Sequence, residues 1–130
     1  MRGRCLADWV LMAIAIEKAI QHAFITWAFA ADRFDLREQV VPPWEVLMIL
    51  GGIVGVLFVV AVVALVRWWP WAPALLIGLA LFDIVGEFVA QGTVMIDLVV
   101  SFLVAVALLI LAIRALPRYR RGASPTIRQG

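Results

Sequence analysis

A single cysteine, Cys5, and a single histidine, His22, are all this chain has of either type. One thiol forbids an intrachain disulfide. One imidazole forbids every intrachain metal or haem site that needs two, including the paired Glu-x-x-His ligands of di-iron bundles. Zinc hydrolysis, which needs several His ligands or a cysteine set, is equally out of reach. Charge is scarce too. Only 15% of the 130 residues carry it, against about 25% in an average soluble domain. No phosphate-cradling loop or dinucleotide fingerprint occurs, so neither a metal nor an organic cofactor is implied. Basic residues interleaved with aromatics on a folded face are missing as well, which excludes nucleic acid as a partner.

What the chain does have is apolar length. Hydrophobic residues make up 65% of it and the mean hydropathy is +1.05. Soluble domains hold about 45–50% apolar residues. The excess reads as one integral membrane domain with the lipid bilayer as its solvent. A spanning helix needs about 20 mostly apolar residues, and four such stretches are found, at about 6–31, 44–66, 72–90 and 93–116. Asp32 to Glu38 and Pro42-Pro43 separate the first two. Arg67-Trp68-Trp69-Pro70-Trp71-Ala72-Pro73 separates the next pair, and Gln91-Gly92 is a short turn before the last. Strands are excluded: the runs are long, they do not alternate, and only helices or closed barrels satisfy their backbones in lipid. The expected fold is therefore all-α, a four-helix transmembrane bundle over residues 1–117, with a mobile basic tail at 118–130.

Orientation follows from arginine placement. Arg2 and Arg4 precede span one, Arg67 lies in the second loop, and Arg114, Arg118, Arg120, Arg121 and Arg128 crowd the C-terminal end. Four crossings put all of these on one side, so both termini are expected to be cytoplasmic in a bacterial-type plasma membrane. The tryptophans fall near the expected interfaces, where an apolar ring with one N–H is at home. Arg2, Arg4 and Ala28-Phe29-Ala30 imitate a cleavable signal. Glu17-Lys18 and His22 interrupt its apolar region, and the expected cleavage point is distant, so the first span is read as retained.

Four carboxylates interrupt the apolar runs: Glu17, Asp83, Glu87 and Asp97. An ionised acid at mid-bilayer costs about 2.5–3.5 kcal/mol on insertion scales. With the orientation above, they share a zone from the midplane to the outer face. Helical spacing groups them with other polar residues. Glu17 shares a face with Gln21, and Lys18 with His22. Asp83, Glu87 and Gln91 form one stripe, and Thr93, Asp97 and Ser101 another. Lipid cannot solvate these stripes, so all three are expected to turn inward. The expected proton- or cation-binding residues are Glu17, Asp83 and Glu87. Gln21, His22, Gln91, Asp97 and Ser101 would line the cavity, and Lys18 would be the charge partner of one acid. The acids outnumber the cations there, which calls either for bound protons or for a water-filled cavity that admits a cation. Gly51 and Gly55 lie at the small-xxx-small spacing that lets helices approach closely.

The general plan resembles the small multidrug resistance transporters, four-span proteins of about this length that work as dimers. That family carries a mid-membrane glutamate in its first span, the place Glu17 holds in Ile14-Ala15-Ile16-Glu17-Lys18-Ala19. Lys18, Gln21 and His22 depart from the family's pattern, as do Asp83 and Glu87, so no residue role is carried over. The expectation from sequence is a small non-enzymatic transporter or channel-like protein, acting as a homo-oligomer on protons or cations. The alternative is a non-catalytic subunit or assembly factor with membrane partner subunits; a further one is a lipid- or quinone-binding protein. A cavity joining the acids would favour transport, whereas a closed Lys18 salt bridge would favour a structural role.

Overall fold

Four helices follow one another in the computed structural model: α1 (Leu6–Ala30), α2 (Trp44–Val66), α3 (Ala72–Gln91) and α4 (Ile96–Ala123). The structure describes residues 3–38, 40, 43–91 and 96–123, with side chains described except at 89–91, 96–99 and 122–123. Among the described residues there is no strand. Three helices are long and apolar enough to cross a membrane. These are α1 with a mean hydropathy of 1.2, α2 with 3.1, and Val100–Arg121 of α4 with 2.4.

The helices form a ring. α1 packs on α2 and α3 on α4; weaker α2–α3 and α1–α4 contacts close it. Each helix buries one stripe at alternating three- and four-residue spacing, the period at which helices mesh with a shallow crossing. In α1 the stripe is Asp8, Leu11, Ala15 and Lys18, and in α2 it is Val54, Phe58, Ala61 and Leu65. In α4 it is Ala105, Leu108, Ala112, Ala115 and Tyr119. Alanine recurs because lipid supplies no hydrophobic squeeze, so close backbone approach and dispersion must hold the helices together.

The ends are built from sequence-local devices. At the start of α1 the Asp8 carboxylate accepts from the Cys5 backbone N–H and from its thiol, both at 3.2 Å. α1 ends with Asp32 in the left-handed region (φ 52) and Arg33 N–H returning to Ala28 O at 2.9 Å. Arg37 then bonds the Phe29 carbonyl at 3.0 Å and lies over the Trp44 ring at 3.7 Å. α2 ends in the same way, with Trp68 at φ 58 and Trp69 N–H bonded to Ala64 O at 2.9 Å. A left-handed backbone costs a non-glycine residue about 1–2 kcal/mol. Trp68 is held there by the Arg4 guanidinium 5.0 Å from its ring and by Tyr119, whose ring lies 4.8 Å away.

The described ends of the chain meet at one end of the bundle. Arg4 donates to Leu65 O at 2.9 Å and Val66 O at 2.6 Å, capping α2 with a cation where its carbonyls are unpaired. Arg118 pairs with Asp8 at 2.6 Å. The expected boundary after Pro117 lies elsewhere: α4 continues through Pro117 to Ala123. Proline removes one helical N–H and presses on the preceding turn. Contacts from other helices hold the next turn nonetheless, since Tyr119 is buried and reaches Leu65 O at 3.4 Å while Arg118 is tied to α1. Residues 124–130 and Thr93 lie outside the described residues.

Candidate functional site

The α1 stripe runs inward from Asp8 through Leu11 and Ala15 to Lys18, and this phase sets the site. Lys18 is the chain's one lysine, and it is fully buried. Its ammonium crosses the ring to α3, where Asp83 Oδ2 lies at 2.9 Å. Ser101 Oγ on α4 accepts from it at 3.0 Å, and Gln21 Oε1 on α1 at 3.1 Å. Three oxygens from three helices thus surround one ammonium: those of Gln21 and Ser101 accept hydrogen bonds, and Asp83 Oδ2 is its ion-pair partner. Asp83, 6% exposed, holds His22 Nε2 through its other oxygen at 2.8 Å.

The remaining members extend the network. Gln21 donates to Ser101 Oγ at 3.3 Å, and the Ser101 hydroxyl donates to Glu87 Oε1. Glu87 lies 3.9 Å from the Lys18 ammonium. Its second oxygen, Oε2, is buried without a hydrogen-bond partner. The His22 ring stacks on Phe58 of α2, with centroids 5.6 Å apart. Beneath it Gly55 leaves the room: a Cβ at that position would stand 3.1 Å from His22 Cβ. α2 therefore supplies shape rather than polarity.

Of the residues expected at the site, Lys18, Gln21, His22, Asp83, Glu87 and Ser101 come together. Glu17 does not. It is exposed on the outer face of α1, where Ala13, Ile16, Ile20, Gln21 and Phe24 complete a shallow groove of about 500 Å³. Among the described residues it makes no polar contact. Adjacent helical positions differ by about 100°, so Glu17 and Lys18 cannot both face inward. The side chains of Gln91 and Asp97 lie outside the described residues. Gly51 and Gly55 both face α1, opposite Thr26 and His22.

Sequence reasoning passed over Asp8, which is 1% exposed and pairs with Arg118. Two signals pointed to it. Cys5-x-x-Asp8 has the spacing of a capping box, and Asp8 lies on the same helical stripe as Lys18. Bound protons, a water-filled cavity admitting a cation and a closed Lys18 bridge are the alternatives for the acids. Lys18 and Asp83 form a closed bridge with 1% and 6% of their side chains exposed. A second groove, of about 460 Å³, lies between α1 and α2 among Thr26, Met48, Ile49 and Gly52 and is apart from the bridge. Among the described residues no three His, Cys, Asp or Glu side chains are grouped as a metal-ligand set. No protein-family model, no curated protein and no solved structure matches this chain.

Proposed function

We propose that this chain is a four-span integral membrane protein that serves as a non-catalytic subunit of a larger membrane assembly. The observation that carries this reading is the contrast at Glu17 and Lys18. The buried ammonium is enclosed by oxygens of α1, α3 and α4, which suits a lock between helices. The neighbouring carboxylate stands on the outside without a partner among the described residues, which suits a surface to be covered. α3 completes the four crossings, because its 20 residues reach about 30 Å at 1.5 Å each. Arg4, Arg67 and Arg118 lie at one end of the bundle, and that end is the cytoplasmic one by the positive-inside rule. Extraction from native membranes into lipid nanodiscs, followed by mass measurement, tests the reading. The expected particle contains other polypeptides; a lone, small homo-oligomer sinks the idea.

A second reading is favoured by one atom. Glu87 Oε2 is buried and has no hydrogen-bond partner among the described residues, beside a network of Asp83, His22, Gln21 and Ser101. Such an oxygen suits a proton or a small cation, as in a transporter with its acidic site at Asp83 and Glu87 and without Glu17. Its test is proton or cation flux in reconstituted vesicles. Asp83→Asn and Glu87→Gln variants that conduct like the parent end this reading.

A further inference from the structure

The outer face of α1 is more specific than a greasy surface. Leu6, Trp9, Ala13, Ile16, Ile20, Ala23, Trp27 and Ala30 alternate three- and four-residue steps along it, and all are exposed. That is the seam spacing of a helix that meshes with another. Alanines at 13 and 23 open hollows between the larger side chains, as at close-packed membrane interfaces. Glu17 flanks this seam in the middle. It is the twelfth of 25 helical residues, so about 17 Å of helix lies between it and one end and about 20 Å between it and the other. With a hydrocarbon layer of about 30 Å, its short side chain cannot reach water from either side.

The charges of the chain say what belongs opposite. Its one lysine is buried and engaged, and its ten arginines lie at 2, 4, 33, 37, 67, 114, 118, 120, 121 and 128. Of these only Arg114 lies well inside a helix, and it is one turn from Arg118, which pairs with Asp8 in the first turn of α1, more than two turns from Glu17. A second copy meshing on this seam would bring Glu17 against Glu17 and no cation at that depth. We infer that the Glu17 face of α1 receives a transmembrane helix of a different protein, carrying a Lys or Arg near its middle. The incoming helix fills the groove of Ala13, Ile16, Ile20 and Phe24 and pairs its cation with the carboxylate. Intramembrane ionisable groups pair with one another for this reason. The inference rests on the membrane-subunit reading and names the chemistry of the partner.

The full chain, labelled with a donor dye, is reconstituted in phosphatidylcholine vesicles with acceptor-labelled synthetic host helices of leucine and alanine. One host has a central Lys, one a central Leu and one a central Glu. The Lys-centred helix is expected to associate about 5- to 30-fold more strongly than the Leu-centred one. Glu17→Leu abolishes that preference without lowering the melting temperature, because the residue lies on the outer face of the bundle. No preference for the Lys-centred helix overturns the inference. So does Glu17-dependent energy transfer between copies of the chain itself, which makes a second copy the occupant. If native particles contain other polypeptides but the host helices are not discriminated, the subunit reading stands and this inference falls. If native membranes yield only a lone homo-oligomer, both fall.

Discussion

Glu17 and Lys18 are adjacent in sequence and opposite in fate. The lysine faces the ring axis and touches oxygens on three helices. The glutamate faces away and, among the described residues, touches none. A charge taken from water is tolerated when its partners are assembled around it, and leaving one partner uncompensated is what becomes costly. The inner face has met that condition within one chain. The outer face has not: among the described residues no group of this chain pairs with the Glu17 carboxylate. A polar residue in a membrane helix is thus explained by its angle before its identity.

The sharpest way to break this contrast is to remove the lysine. Lys18→Met leaves Asp83 and Glu87 without the ammonium between them. The expected loss is about 3–5 kcal/mol, as for one member of a buried pair. Glu17→Leu should cause no loss of stability, because it removes no contact within the bundle and puts an apolar side chain on a lipid-facing position. Both are read by denaturant unfolding of the purified protein in one detergent. Pairing Lys18→Met with Asp83→Leu should recover part of the loss, because an apolar pair is often no worse than a buried ionic one. Equal effects at 17 and 18 would erase the distinction between the two faces.

The two ends of the bundle sharpen it further. Asp8 is buried, caps its own helix and binds Arg118, whereas Asp32 at the far end of α1 is exposed and only 3.5 Å from Arg37. Asp8→Ala removes a cap and strands a guanidinium, so the expected cost is about 1–2 kcal/mol. Asp32→Ala should cost less than about 0.5 kcal/mol. Thermal unfolding of the two variants side by side decides. If Asp32 matters more, the junction of the two termini is not what secures that end.

Much of this was readable before any coordinates. The apolar stretches at 44–66 and 72–90 lie within one residue of helices α2 and α3, because Pro43 and the Pro70–Pro73 segment stop helices by mechanism. Lys18 as the partner of an acid was legible from the count of charges. Two things were not. The helical phase of α1 was ambiguous while Glu17 and Lys18 were weighed for cost alone; Asp8, Leu11, Ala15 and Lys18 resolve it only once Asp8 is known to be buried. The end of α4 was hidden because Pro117 is a sound local stop signal, overruled by tertiary contacts of Tyr119 and Arg118 that no local pattern contains.

The smallest effect separates two glycines that sequence treats alike. Gly51 and Gly55 lie one turn apart on the face of α2 that meets α1. A Cβ at 51 would sit 3.5 Å from Thr26 Oγ1, an ordinary contact, but one at 55 would sit 3.1 Å from His22 Cβ. Alanine gains up to about 1 kcal/mol over glycine in a helix interior. Overpacking costs about 1–3 kcal/mol. Gly51→Ala should therefore raise the melting temperature slightly. Gly55→Ala should lower it by the equivalent of about 1 kcal/mol, since His22 is fixed between Phe58 and Asp83 and cannot swing aside. The reverse order would mean that the histidine moves freely, and that the inner face is held by less than its hydrogen bonds imply.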